Sequence, residues 1–177
     1  MHDVSSVPAL STALTIGFAI ALVASLLLKF WLATRQMRHV AQHRGAVPVA
    51  FADRITLASH QKAADYTIAQ GRLGLLELAW GTVVTLGWTL MGGLSALNQL
   101  LGSWFAADMA QQVALLAAFT VINTVIDLPF TLYRTFVLEQ RFGFNKTTVS
   151  LWLKDLAKST VLSIVIGLPL AALVLWM

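Results

Sequence analysis

No cysteine occurs in the 177 residues, so the chain can form neither a disulfide nor a thiolate metal site. A lipid anchor on a C-terminal cysteine is excluded on the same ground. Charge is scarce as well. Asp, Glu, Lys and Arg make up 11% of the residues, against about 25% in an ordinary soluble domain. There is no Gly-x-x-x-x-Gly-Lys loop to cradle a nucleotide and no Gly-x-Ser-x-Gly turn to raise a nucleophilic serine. None of the four histidines, His2, His39, His43 and His60, is followed by glutamate, so the His-Glu-x-x-His pattern of a zinc peptidase helix is missing.

What the chain has in excess is apolar length, with 58% hydrophobic residues. A helix needs ~20 apolar residues to cross a ~30 Å hydrocarbon core. Four stretches meet that need, at about 10–33, 74–97, 109–133 and 159–177. The first is too long for a secretory signal and lacks a basic leader, so it reads as a retained span. Lys29 near its end can snorkel, and Trp31 suits the interfacial belt. The reading is an all-α integral membrane bundle of four transmembrane helices, folded as one membrane domain over residues 1–177.

Between the spans lie two basic segments. Residues 34–72 carry six Lys or Arg and residues 134–158 carry five; Lys29 completes the twelve. The N-terminus and the 98–108 connection have none. The positive-inside rule therefore predicts both basic segments in the cytoplasm and the N-terminus outside. A net charge of +4 arranged in this way needs no nucleic-acid partner; its partner is the bilayer. Gly45 and Pro48 predict a break in the first segment. A helix is predicted over about 56–70, lying at the surface or extending the second span. Trp104 and Phe105 are predicted interfacial anchors, and Pro129 predicts a kink or an early end to the third span.

Few side chains suggest chemistry. His39 and His43 share a helix face but sit among Arg35, Arg38 and Arg44, and read more simply as a solvated juxtamembrane surface. Glu77, Asn123 and Asp127 are the candidate intramembrane polar residues. An Asp at the centre of a span costs roughly 2.5–3.5 kcal/mol, so Asp127 is expected to pair, with Arg134 for example, or to face water. Asn145, Lys146 and Thr147 form a glycosylation sequon that reads better as a capped turn after Gly143.

One stretch resembles a known family as a whole. Residues 127–148, DLPFTLYRTFVLEQRFGFNKTT, followed by Asp155 and Lys158, look like the N-terminal membrane region of the CAAX prenyl protease 1 type of zinc metallopeptidases. The similar positions are Pro129, Tyr133, Thr135, Phe136, Glu139, Gly143, Phe144, Asn145, Lys146, Asp155 and Lys158. Residues 60–74, HQKAADYTIAQGRLG, resemble the same family's region before its second span. The resemblance covers about residues 47–177. It implies a multi-helix peptidase enclosing a water-filled chamber, acting on substrates that include prenylated C-terminal tails. Its zinc would sit on a His-Glu-x-x-His helix and a later Glu, beyond the matched region. No catalytic or metal-binding residue is therefore carried over, no cofactor is expected in this chain, and zinc is expected only in a C-terminal half.

The resemblance leaves three accounts open: a truncated portion, a separately encoded half, or a version that has lost catalysis. In each, the chain is expected to form chamber wall and to support a peptidase domain. It is not expected to be active alone. The candidate docking residues are Asp127, Arg134, Glu139, Arg141, Asn145, Lys146, Asp155 and Lys158. The expected location is a plasma membrane in bacteria or the endoplasmic reticulum in eukaryotes. The rival reading is a non-catalytic four-helix scaffold or transport component.

Overall fold

The computed structural model describes residues 6–105 and 109–176. His2, the end of the 98–108 connection and Met177 lie outside the described residues. All regular structure among the described residues is helical. The chain forms two compact units, Met1–Met91 and Gly92–Met177.

The first unit is a helical hairpin. Helix α1 spans Ser6–Gln42, longer than the predicted span because Thr34 to Gln42 hold no helix breaker. Along it Leu22, Leu26, Phe30, Ala33, Met37 and Val40 are half-buried at every third or fourth position, and their neighbours are exposed. This stripe is the seam that packs on α2. After α1 the chain breaks at 43–48 as predicted, makes one 3-10 turn at Val49–Phe51, and enters α2, Leu57–Thr89. Thr56 caps α2, its hydroxyl oxygen accepting from the Ser59 N–H at 3.2 Å.

The hairpin closes through three contacts that run antiparallel. A Cβ on Gly71 would lie 2.8 Å from the Met37 Sδ, so glycine lets the two helices approach. His60 Nε2 lies 3.0 Å from the His43 carbonyl, and Arg44 bonds Asp65 at 2.7 Å.

The helix predicted over 56–70 extends the second span, one of the two arrangements expected of it, because nothing in residues 70–74 interrupts the backbone ladder. The second span, predicted to run unbroken to residue 97, instead breaks at residues 90–92. Leu90 and Met91 both donate to the Leu86 carbonyl, at 2.8 and 3.0 Å. Gly92 then takes a φ of 79°, a left-handed conformation that only glycine adopts at low cost.

The second unit holds α3, Gly93–Gly102, α4, Met109–Tyr133, α5, Val149–Leu162, and α6, Leu168–Trp176. Helix α3 takes in residues 98–102 of the predicted 98–108 connection. It is tied to α4 by Gln111 Nε2, which donates to the Asn98 Oδ1 at 3.1 Å. Trp104 is 74% exposed just beyond α3. Helix α4 does not end at Pro129. It continues through a π-helical stretch, Arg134–Glu139, so the proline costs the Val125 carbonyl its bond without stopping the rod. Helix α5 starts ten residues before the predicted fourth span, because Thr148 caps it and residues 149–158 hold no breaker. It joins α6 through a second π stretch, Ser163–Gly167.

Three rods are long and apolar enough to cross a bilayer: Leu10–Gln42, Met109–Glu139 and Val149–Val174. Helices α2 and α3 pass the same test only when taken as one broken pair, which brings the number of candidate spans up to four. In the most apolar window of each of the three rods no residue is buried, so their outer faces need lipid or further protein. Only Ala64, Leu73, Leu101 and Leu138 are buried apolar residues among the described ones. The hydroxyls of Thr67, Thr82, Thr85, Thr89 and Thr160 donate to the carbonyl four residues back. That is how a polar side chain is satisfied inside a membrane helix.

Candidate functional site

Helix α4 has three kinds of surface. Leu115, Phe119, Ile122, Ile126 and Phe130 recur at helical spacing and are half-buried, which marks the face packed within its own unit. Val121, Val125 and Leu132 are exposed and apolar, as lipid contact requires. Thr120, Thr124, Asp127 and Thr131 form the third surface. They are spaced four, three and four residues apart, so they share one face, and all four are exposed. The threonines quench their own polarity by donating to carbonyls: Thr120 to Leu116 at 2.8 Å, Thr124 to Thr120 at 2.8 Å, and Thr131 to Asp127 at 3.2 Å. Asn123 borders this face, half-buried, with its Nδ2 donating to the Phe119 carbonyl at 2.7 Å.

The Asp127 carboxylate has no such outlet. The pairing with Arg134 expected from the sequence is not formed. Seven residues separate the two, about 10 Å along a helix, and the Asp127 side chain has no ion pair among the described residues. Asp127 also lies about 18 Å along the rod from its end at Glu139, inside a helix long and apolar enough to cross a bilayer. A carboxylate there, exposed from its own unit, requires water or a polar protein surface against it.

Beyond α4 the connector to α5 is held by local bonds. Gly143 takes a φ of 71°. The Phe144 N–H donates to the Glu139 carbonyl at 2.9 Å and the Gly143 N–H to the Gln140 carbonyl at 3.0 Å. This is a Schellman termination, with glycine at the left-handed position. The Asn145 N–H also reaches the Glu139 carbonyl, at 3.2 Å. Asn145 Oδ1 then accepts from the Thr147 N–H at 2.6 Å, and the Thr148 hydroxyl oxygen accepts from the Leu151 N–H at 3.2 Å to start α5. Three consecutive motifs thus use Gly143, Asn145 and Thr148 for backbone bonds, and the Asn145 amide belongs to the turn predicted after Gly143. Phe136 meets Trp152 edge-on, ring centroids 6.2 Å apart, which ties the π stretch to α5.

The connector therefore presents a shaped surface. Arg141, with its guanidinium 5.9 Å from the Phe142 ring, and Lys146 are exposed, and Phe144 is 50% exposed. Arg134 and Glu139 are half-buried in the π stretch. Asp155 and Lys158 lie exposed on α5, one and two turns beyond Trp152. In the other unit, Glu77 is half-buried on α2.

Sequence reasoning singled out Asn123 and Asp127 but missed the threonine stripe around them. The four-three-four spacing was its signal.

Hydrolytic chemistry needs more than this. His39 and His43 stack with centroids 4.2 Å apart, and His43 Nδ1 lies 2.9 Å from the His39 carbonyl. No group of three His, Cys, Asp or Glu side chains able to hold a metal ion is found among the described residues, so the donor set does not fit a peptidase zinc.

Comparison with known proteins adds four findings. Residues 36–177 match the family described as "CAAX prenyl protease N-terminal, five membrane helices". Over 173 residues the chain is 30% identical to CAAX prenyl protease 1 of Saccharomyces cerevisiae, covering 90% of this chain and 36% of that protein. It is 32% identical over 110 residues to the human CAAX prenyl protease 1 homolog, covering 58% of this chain and 22% of that one. The crystal structure of S. mikatae Ste24p superposes with a TM-score of 0.78 at 26% identity, covering 86% of this chain and 36% of that chain. The chain thus spans little more than a third of the length of these yeast relatives.

Proposed function

Because the chain belongs to the CAAX prenyl protease N-terminal family, as an N-terminal membrane part of proteins of that kind, we propose that it builds the membrane wall of a zinc metalloendopeptidase and docks the catalytic half. The observation that carries the reading is the α4 face of Thr120, Thr124, Asp127 and Thr131. A polar strip along an otherwise lipid-compatible rod suits the inner wall of a wet chamber. On this reading the peptidase zinc and its His-Glu-x-x-His helix are supplied by the other half. Substrates with prenylated C-terminal tails follow from the same reading.

The docking surface is the connector between α4 and α5. Its backbone is fixed by its own hydrogen bonds, which lowers the ordering cost of binding. Its exposed side chains, Arg141, Phe144 and Lys146, combine cations with an aromatic anchor. Co-expression tests the idea. The S. cerevisiae relative stripped of the matched region should co-purify with this chain as a separate polypeptide. A triple change of Arg141, Phe144 and Lys146 to Ala should reduce recovery at least about tenfold, as expected for loss of a central anchor. Failure of the unmodified pair to associate contradicts the docking role.

The chain is a multi-pass membrane protein region; its orientation is part of the proposal. Both basic segments lie on the cytoplasmic side and the N-terminus on the other, in the plasma membrane of a bacterium or the endoplasmic reticulum of a eukaryote. A cysteine at position 146 in sealed vesicles should react with an impermeant maleimide from the cytoplasmic side alone. Reaction from the opposite side reverses the topology.

A further inference from the structure

The membrane-proximal end of α1 carries a feature that the peptidase reading does not use. Residues 10–28 contain no charge, and basic residues begin with Lys29. Phe30, Ala33, Met37 and Val40 form the seam against α2 and fix which way the helix faces. Trp31, Arg35 and Arg38 lie on the opposite side, separated by four and three residues, so they line one strip of about two turns. Trp31 is 57% exposed, and the Arg35 guanidinium carbon sits 5.5 Å from its ring centroid. Helical side chains lean towards the N-terminus, which on α1 is towards the span. The indole thus holds a guanidinium at headgroup depth.

No carboxylate competes for it. The first acidic residue after α1 is Asp53, and the nearby Asp65 is taken by Arg44 at 2.7 Å. Neither Arg35 nor Arg38 has an ion pair among the described residues. A guanidinium pair aimed at the interface, with an aromatic floor and no internal anion, matches a phosphate oxygen through bidentate bonds.

We propose that Trp31, Arg35 and Arg38 form a binding site for the headgroup of an anionic phospholipid on the outer face of α1. The lipid is the occupant because the site's floor is an interfacial tryptophan and its approach is an uncharged span. Phosphatidylcholine offsets its phosphate diester with a choline cation, whereas an anionic phospholipid keeps a net negative charge, and that net charge is what the two arginines select.

The test uses the 177-residue chain in detergent, exchanged into micelles doped with equal phosphatidylglycerol and phosphatidylcholine, with retained lipid counted by native mass spectrometry. Phosphatidylglycerol should be retained preferentially. A chain with both Arg35→Gln and Arg38→Gln should lose on the order of tenfold in phosphatidylglycerol affinity, from severalfold per arginine at a membrane surface. Arg54→Gln, away from the strip, should leave retention unchanged. Arg35→Lys keeps the charge but not the planar fork, and should retain an intermediate amount; it serves if the double variant fails to fold. Millimolar inorganic phosphate should not displace the lipid.

Equal retention of the two lipids overturns the proposal. So does an Arg54→Gln loss as large as that of the double variant, which would mean a diffuse basic field. Displacement by inorganic phosphate would assign the site to a free anion. Recovery of the lipid preference only after removal of a co-purifying protein would mean that protein covers the strip.

Discussion

Replacing Gly143 by valine is expected to open the connector between α4 and α5. At a φ of 71° a side chain with a Cβ crowds the following carbonyl, which costs roughly 1–2 kcal/mol for a typical residue. Valine, branched at Cβ, sits at the upper end, near about 2 kcal/mol. The strain falls on a small number of bonds. The amides of Gly143, Phe144 and Asn145 all depend on that one left-handed residue to reach the Gln140 and Glu139 carbonyls. Hydrogen exchange at Phe144 and Asn145 should therefore accelerate about 30-fold, the factor that 2 kcal/mol corresponds to. Asparagine tolerates the left-handed region, so Gly143→Asn should accelerate exchange by only a few-fold. The spans themselves should melt at unchanged temperature, because no buried contact is touched. Equal exchange in Gly143→Val and the parent would mean that the Schellman termination does not hold the connector.

The same chain of motifs shows what could be read in advance. Gly143 was legible as a turn, and Asn145 and Thr147 as part of it, because glycine and asparagine act through their own backbone. The network that joins them was not legible. It depends on the Glu139 carbonyl accepting two N–H groups at once, which is a property of the folded backbone and of no single residue type. The four apolar rods were equally plain, since hydrocarbon thickness imposes their length. Their ends were not. Helix α5 starts at Val149 because nothing stops a helix in that polar stretch, and hydrophobicity cannot register a helix that leaves the membrane; the upstream start of α2 was legible only because Leu57, Ala64 and Ile68 recur at helical spacing. The break at Gly92 was masked by the apolar residues around it.

Pro129 teaches the reverse lesson. A missing N–H in a soluble helix leaves a carbonyl that water can satisfy elsewhere, which favours ending the helix. In a membrane every alternative to helix exposes more unpaired backbone, so α4 passes through the proline and carries on to Glu139. The threonine stripe escaped notice for a related reason. Each threonine is close to neutral in hydropathy, and only its phase with Asp127 makes it part of a surface.

That surface is the centre of the account, and the absence of cysteine offers a direct way to examine it. Single cysteines can be placed at 120, 124, 127 and 131, and at 121, 125 and 132, each in an otherwise thiol-free chain. Maleimides react with the thiolate, and a hydrocarbon environment both raises the thiol pKa and excludes a charged reagent. In native membranes containing the peptidase half, the first set should react on the order of 100-fold faster than the second, the effect of about two pKa units alone. The reactive positions should follow the four-three-four spacing of one helix face. If cysteines at 120, 124, 127 and 131 react no faster than those at 121, 125 and 132, the α4 face does not line water, and the chamber-wall role fails with it.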